Sequence, residues 1–435
     1  MRINLIFILF YLIVGCSPKV DLALDIENLK KEGTTILQNK HLGNKQNILK
    51  ISKLITYPIK INTNWTYPNY NSQNLPLHSA FEAAFSINKK KNYFENVTNN
   101  YYQKIVLKIN NNIVFIDDYS NLIILNDSLE LIKKFKIHKD RYYKNYPLKF
   151  SLVSDGKNLF VADNLGSIFA YELNNYKEIW RNDLEVPFLS NLSLFKNSIF
   201  VSNSNGKIYS FDIFTGKPNW SYETGTQTAK SHKAYKLSII EDKLLFSNDF
   251  GTIACVDLTL KKIIWSSALQ SSSIYNDSNL LELADFVAEN KAVYIASNLG
   301  KFIKVDLSSG SILWSNDAVS TTAPIVNRDT VALVEDNGFF NVYAKDTGKV
   351  LYKKNILNSL RSQKIEIENI KVNNFFLASG SFYITTQDGY VFSVNSTDLQ
   401  SVQHKKIAEK INSNIAFSKK NIFFIANKSE IIKSQ

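Results

Sequence analysis

One pattern recurs along the chain about every 40–50 residues, and it constrains the fold more than any other feature. A glycine opens an apolar run, an aspartate follows six residues later, and a tryptophan follows eight residues after the aspartate. Three copies keep all three residues: Gly206, Asp212 and Trp220; Gly251, Asp257 and Trp265; Gly300, Asp306 and Trp314. Weaker copies begin at Gly166, Gly338 and Gly389, and a faint first copy begins at Ser120. Repeats of this length are typical of the four-stranded blades of a β-propeller.

Each repeat contains four short apolar runs separated by turn-forming residues, as four antiparallel strands require. The aspartate of the pattern precedes a hairpin and is expected to accept hydrogen bonds from the backbone amides of that turn. The tryptophans Trp220, Trp265 and Trp314 lie in the fourth strand, where their large apolar surface predicts buried anchors between blades. These residues therefore have structural roles.

The count of repeats predicts how the ring closes. Seven copies run from Ser120 to Gly389, and three further short strands follow His404. The segment 57–67, with its lone Trp65, is predicted to be the missing fourth strand, because a closed ring leaves no free sheet edge. The expected fold is all-β, an eight-bladed propeller of four-stranded antiparallel blades, with seven blades as the alternative. Residues 68–100 are expected to be an irregular connection and residues 101–435 the successive blades.

The first residues form a separate targeting segment. Residues 1–15 contain Arg2 and then an apolar run, which is typical of a secretory signal peptide. The junction Ile13-Val14-Gly15-Cys16 resembles a bacterial lipobox, which implies cleavage before Cys16 and acylation of that cysteine. The alternative is an ordinary signal peptide with a chance cysteine. Residues 16–56 are then a lipidated tether, and Ser17 at the following position favours the outer membrane over the inner one.

The charge of the chain does not indicate a nucleic-acid partner. Lysine and arginine number 51 against 39 aspartates and glutamates, a formal net charge of +12. The basic residues are scattered, no RNA- or DNA-binding motif is present, and the secretion signal predicts export from the cytosol. The lysines are therefore interpreted as solvated surface, with attraction to anionic lipid headgroups as the alternative.

The sequence contains no recognisable catalytic, cofactor or metal motif. Apart from Cys16, the one cysteine is Cys255, which lies in an apolar strand and is expected to be a buried small side chain. The five histidines never fall at the spacing of metal ligands, and neither a haem-attachment motif nor a nucleophile elbow is present. We therefore expect no catalysis, no cofactor and no metal.

The repeats over about residues 115–430 resemble the PQQ-type propeller repeat, which two families share. Quinoprotein alcohol dehydrogenases hold PQQ with a calcium ion and often carry adjacent cysteines near the cofactor, and this chain has no such pair. The chain is more similar to the BamB-type lipoproteins of the outer-membrane β-barrel assembly machinery in length, lipobox, tether and number of repeats. A periplasmic propeller that binds another protein, peptide or glycan is a further alternative.

The resemblance to BamB implies a scaffold that docks on the periplasmic POTRA domains of the barrel subunit BamA. It implies a monomer within a hetero-complex, lipid-anchored to the outer membrane and facing the periplasm. In that family the contact is made by loops between the outer strand of one blade and the inner strand of the next. The matching loop here contains Val186, Pro187, Phe188 and Leu189, which are predicted to bind the partner. The alternative is that Phe188 and Leu189 begin the next inner strand.

Overall fold

The computed structural model describes residues 51, 53–75, 78–81, 85–93, 102–138, 147–224, 233–269, 280–361, 365, 371–427 and 430–434. Within these residues the chain forms eight sheets, each of four antiparallel strands, arranged as an eight-bladed propeller. One short helix, α1 (Asn358–Arg361), follows the sixth blade in the chain. The expected fold is confirmed, and the seven-blade alternative is wrong.

We call the strands of each blade A to D from the inside of the ring outwards. Blade 1 contains β2 (Leu107–Ile109), β3 (Asn112–Ile116), β4 (Asn121–Asn126) and β5 (Leu131–Lys136). Blade 2 contains β6 (Phe150–Ser154), β7 (Asn158–Asp163), β8 (Ser167–Glu172) and β9 (Glu178–Asp183). Blade 3 contains β10 (Ser193–Phe195), β11 (Ser198–Ser202), β12 (Lys207–Asp212) and β13 (Pro218–Glu223). Blade 4 contains β14 (Leu237–Ile240), β15 (Lys243–Ser247), β16 (Thr252–Asp257) and β17 (Lys262–Ala268).

The remaining blades follow the same order. Blade 5 contains β18 (Val287–Glu289), β19 (Ala292–Ala296), β20 (Lys301–Asp306) and β21 (Ile312–Asp317). Blade 6 contains β22 (Ile325–Val326), β23 (Thr330–Val334), β24 (Phe339–Ala344) and β25 (Val350–Asn355). Blade 7 contains β26 (Val372–Ala378), β27 (Ser381–Thr386), β28 (Tyr390–Asn395) and β29 (Asp398–Lys406). Blade 8 contains β30 (Ala416–Ser418), β31 (Asn421–Ala426), β32 (Glu430–Ser434) and, as its outer strand, β1 (Ile87–Asn92).

The antiparallel order of the strands gives the ring two distinct faces. The A–B turns of the eight blades and the C–D turns of blades 1 to 7 lie at one end of the central channel. The B–C turns and the loops that lead from strand D to the next strand A lie at the other end. We call the second end the loop face. The first end also carries an N-terminal segment, residues 53–75 and 78–81, which we call the strap, and we call that end the strap face.

An N-terminal strand closes the ring, as expected, but it is not the predicted segment. The outer strand of blade 8 is β1, which pairs with β32 in antiparallel register and places Lys90 opposite Ile432. The sequence INKKKN of β1 is polar and largely exposed, so it gave no strand signal and was assigned to the irregular connection. Charged residues are common on an outer strand, where they discourage pairing with another chain. The prediction that 57–67 closes the last blade is wrong.

Residues 57–67 belong to the strap, which enters the central channel. Trp65 exchanges backbone hydrogen bonds with Lys108 of the inner strand of blade 1, at 2.6 and 2.9 Å, and is buried. Further along the strap, the carbonyl of Ser72 accepts from Ile239 of blade 4, and that of Gln73 accepts from Ala288 of blade 5. Trp65 is therefore buried against an inner strand although it is not part of a blade. In the sequence, the segment around it resembles a blade strand for this reason.

The repeated aspartates and tryptophans have the predicted structural roles, with one exception. The Asp212 carboxylate accepts from the backbone amides of Phe214 and Thr215, at 3.1 and 2.8 Å, and so caps the C–D turn. Trp265 and Trp314 are buried. Trp220 is only half-buried, which contradicts its prediction as a fully buried anchor. Trp265 and Trp314 pack on the C–D turn glycines of the next blades, Gly310 and Gly348, whereas the blade after Trp220 has Lys261 at that position.

Candidate functional site: the loop face and the channel behind it

The loop that joins blade 2 to blade 3 contains the four residues predicted to bind a partner. It is fastened to the B–C turns of both blades. The amide of Phe188 donates to the carbonyl of Asp163 in blade 2, at 3.2 Å, and the amide of Leu189 donates to Ser202 in blade 3, at 2.9 Å. The carbonyl of Pro187 accepts from Ser204, at 2.8 Å. The loop is thus held by both blades at the loop face.

The side chains of this loop are distributed differently from the expectation of an exposed phenylalanine and leucine. Phe188 is 3% exposed and Leu189 is 1% exposed, so neither presents apolar surface to solvent. Phe188 packs edge-on against Phe211 in the core between the two blades. Val186 and Pro187 are half-buried, and Glu185 is exposed. The burial of Phe188 and Leu189 agrees with the alternative interpretation, in which these residues lead into the next inner strand.

Directly behind this loop the channel contains a cavity of about 80 Å³. It lies between the inner strands of blades 2 to 5, and Leu189 forms part of its wall. The strap limits the cavity on the other side, where Tyr67 and Pro68 line it. The charged groups in the wall include Lys149 and Asp285. The predicted contact loop and the strap therefore share one internal space.

The charged side chains of the cavity are coupled. The Lys236 ammonium lies 2.9 Å from the Asp285 carboxylate, which also accepts from the Asn69 amide of the strap at 2.5 Å. Although burial opposes ionisation of Asp285, Lys236 and Asn69 hold its pKa below the usual range. Burial and, to a smaller extent, the nearby Lys236 ammonium lower the pKa of Lys149 to about 8, although Asp285 opposes the change. The Lys149 ammonium donates to the carbonyl of Leu189 at 2.7 Å.

Sequence reasoning did not identify these cavity residues. Lys149, Lys236 and Asp285 come one or two positions before the inner strands of blades 2, 4 and 5. Because inner strands begin at the loop face and surround the channel, residues at these positions converge in space while lying far apart in the chain. A charged residue immediately before an inner strand was therefore the signal that could have indicated the cluster.

The described residues include a buried histidine–carboxylate pair, with Nε2 of His138 2.6 Å from the Asp163 carboxylate and neither side chain exposed to solvent. Among the described residues, no group of three or more His, Cys, Asp or Glu side chains is placed to hold a metal ion. Cys255 is buried in strand C of blade 4, as expected, and burial raises its thiol pKa to about 12. A thiol in this environment is unreactive. No helix in the described part of the chain is long and apolar enough to cross a membrane.

The predicted lipidation site and part of a second loop fall outside the described residues. Cys16, the signal segment 1–15 and residues 16–50 of the tether are in this group, as are residues 225–232 of the loop after blade 3. The predicted roles of Cys16, the signal segment and the tether remain predictions.

The repeats, the eight-bladed ring and the loop geometry define a PQQ-like β-propeller. A family model described as outer membrane protein assembly factor BamB matches residues 147–354 and, in an overlapping match, residues 240–434. The chain belongs to this BamB family.

Curated relatives agree with the family match. The BamB of Moranella endobia is 23% identical over 303 residues, which cover 69% of this chain and 76% of the relative. The BamB of Yersinia pestis is 18% identical over 262 residues, covering 60% and 64% respectively. An uncharacterised Rickettsia conorii protein is 22% identical over 338 residues, covering 73% and 81%.

Solved structures share the fold. The crystal structure of BamB from Moraxella catarrhalis matches with a TM-score of 0.63 and 12% identity, covering 80% of this chain and 99% of that one. A europium-containing methanol dehydrogenase matches with a TM-score of 0.60 and 12% identity, covering 84% and 88%. At these identities the likeness establishes a common architecture only, because one propeller fold supports different functions.

Proposed function

We propose that this protein is a non-catalytic scaffold in the assembly of outer-membrane proteins. In this proposal Cys16 anchors it to the outer membrane by lipid, the propeller faces the periplasm, and its loop face docks on the POTRA domains of a BamA-type barrel subunit. The observation that carries the proposal is the match of the BamB family model to the blades between residues 147 and 434. The lack of a metal-binding cluster in the described part of the chain is compatible with a binding role.

The loop face suits docking better than the strap face because the strap covers the centre of the latter. On the loop face, Val186 and Pro187 are half-buried between two firmly bonded blades. Val319, in the corresponding loop after blade 5, is 40% exposed, and Leu280, after blade 4, is 49% exposed. Apolar side chains on rigid loops bury area at a small entropic cost, which favours protein recognition.

The test is recovery of partners from detergent-solubilised membranes by the full chain carrying an affinity tag. We expect recovery of the barrel subunit, and a loss of at least tenfold for the double variant Val186→Glu plus Val319→Glu. Phe214→Glu is the matched control, because Phe214 is 64% exposed on a C–D turn of the strap face. Circular dichroism must show that all variants remain folded.

Other outcomes would assign the protein differently. Recovery of an unrelated periplasmic protein in place of the barrel subunit would indicate a propeller with another partner. PQQ bound to the purified chain, or a quinone-dependent oxidation, would contradict the scaffold and indicate the dehydrogenase class. Equal loss of binding for Phe214→Glu and for the loop-face variant would reject the loop face as the contact.

A further inference from the structure

The cavity behind the blade 2–blade 3 loop contains a lysine that is not paired with a carboxylate. Three lysines line the cavity, Lys149, Lys233 and Lys236, together with Asp285. Lys236 is paired with Asp285 at 2.9 Å, and Lys233 is paired with Glu282 at 2.5 Å. Among the described residues Lys149 forms no ion pair, and its ammonium donates to the Leu189 carbonyl. A neutral carbonyl compensates a half-buried ammonium only partly, so an entering anion would gain a charge-assisted hydrogen bond.

The space beside Lys149 matches a small anionic group. The cavity volume is about 80 Å³, several times the roughly 10–15 Å³ that a site needs to hold one water. A carboxylate with its adjoining methylene occupies a similar volume. Leu192 and Leu237 supply apolar wall for the methylene, while Asn191 and Ser193 add neutral polar groups. The rest of a larger residue would have to remain outside the cavity.

The position of the cavity connects it to the face proposed for docking. Lys233 has a side chain that is 49% exposed, so the cavity is reached from the loop-face end of the inner strands. The opposite side is limited by Tyr67 and Pro68 of the strap. A group that enters from the loop face is therefore stopped by the strap and cannot pass through the channel.

We propose that this cavity receives one carboxylate of the partner polypeptide, from an acidic side chain or a chain terminus, with Lys149 as its counter-ion. The partner in this statement rests on the proposed function. The existence of an anion-binding cavity does not rest on the proposed function, because the charge, volume and opening of the cavity are properties of this chain alone. Lys149 acts as a specificity residue that selects an anionic group over a neutral isostere, because the neutral group cannot compensate the buried ammonium.

The cavity is tested with the purified full chain and small probes. N-acetyl-aspartate N-methylamide is titrated to about 50 mM at constant ionic strength, which covers dissociation constants of a few mM. We expect saturable NMR shifts of the Leu189, Leu192 and Leu237 methyl groups, and at least tenfold weaker response to the asparagine analogue. Lys149→Met should weaken binding of the aspartate probe at least tenfold. N-acetyl-phenylalanine with a free carboxylate, used as the chain-terminus probe, distinguishes the two sources of the group.

The matched control is Lys304→Met, because Lys304 is buried and, like Lys149, donates to a backbone carbonyl, that of Lys345 at 2.9 Å. It should leave the titration unchanged. Absence of saturable shifts with both carboxylate probes, or equal responses to the aspartate and asparagine probes, would overturn the proposal. So would full probe binding by Lys149→Met.

A second measurement connects the cavity to the partner. If the wild-type chain recovers the barrel subunit, Lys149→Met should reduce that recovery at least tenfold, and an unchanged recovery would show that the partner does not use the cavity. If the wild-type chain binds the probe but recovers no barrel subunit, the proposed function fails and the carboxylate site stands.

Discussion

Trp265 donates its indole N–H to the carbonyl of Leu307, 2.8 Å away, and so joins strand D of blade 4 to the C–D turn of blade 5. The same turn contains Gly310, at which a Cβ atom would lie 2.6 Å from Cδ2 of Trp265. Trp314 repeats this relationship with the carbonyl of Lys345 at 3.0 Å. The glycine and tryptophan of successive repeats therefore form a docking contact between neighbouring blades.

We predict that Trp265→Ala lowers the free energy of unfolding by about 3–5 kcal/mol, the range for removing a large buried aromatic side chain. Trp220→Ala should cost clearly less, because Trp220 is only partly buried and the C–D turn of the following blade has Lys261 where blades 3, 5 and 6 have glycine. Urea unfolding followed by circular dichroism measures both. Equal costs for the two variants would show that the glycine contact adds nothing.

Closure of the ring through β1 predicts sensitivity to proline in a strand that looks like a polar loop. Lys90 and Lys91 lie opposite Ile432 and Ile431. Adjacent residues of a strand direct their amides to opposite sides, so one of these two amides faces β32 and the other faces away. Lys90→Pro and Lys91→Pro should therefore differ, with one costing roughly 3 kcal/mol and the other much less. Thermal melts of the two variants measure this difference. If neither melting temperature changes, closure of the ring by β1 is refuted.

Lys149 should reduce stability at neutral pH. Burial lowers its pKa to about 8 in the folded state, while the unfolded chain has the ordinary value near 10.5. Between these values the unfolded state binds more protons, so this group's contribution to stability rises with pH across that window. Below pH 8 the full cost is present, at most about 3 kcal/mol from the size of the shift. Lys149→Met should therefore stabilise the fold at pH 7.

The gain from Lys149→Met should shrink as the pH approaches 10. Chemical denaturation of wild type and variant in parallel at pH 7 and pH 10 gives the difference directly, because other titrating groups cancel. Lys217→Met, at an exposed position on a C–D turn, serves as the comparison and should give a pH-independent difference. A gain that grows with pH would contradict the sign of the shift.

The lipid anchor predicted at Cys16 is tested separately from the propeller. Wild-type protein should fractionate with the outer membrane, and mass spectrometry should show an acylated N-terminal cysteine. Cys16→Ala should abolish both, because several acyl chains on one residue supply the membrane affinity. Retention of the Cys16→Ala chain in the outer-membrane fraction would mean that another feature holds it there.

The spacing of glycine, aspartate and tryptophan was enough to predict the repeat and hence the propeller. The spacing places Asp257 before a hairpin and Trp265 in the strand after it. Both positions depend on sequence within a single blade, so they could be predicted without knowing the rest of the structure. The number of blades was also predicted from the sequence. Seven repeats and three further strands leave one blade that needs a fourth strand from elsewhere in the chain. The structure confirmed these points, and the match of the family model confirmed the family to which the repeats belong.

The segment that closes the ring and the residues inside the channel became apparent from the folded chain alone. The polar strand Ile87–Asn92 has no apolar pattern, because the outer strand of a blade buries little surface. Trp65 looked like a strand residue because the strap is buried by the inner strands of the ring. Phe188 and Leu189 are buried by blade-to-blade packing, and Lys149 and Asp285 line one cavity although more than a hundred residues of sequence separate them. Each outcome depends on contacts between blades, which a single repeat does not encode.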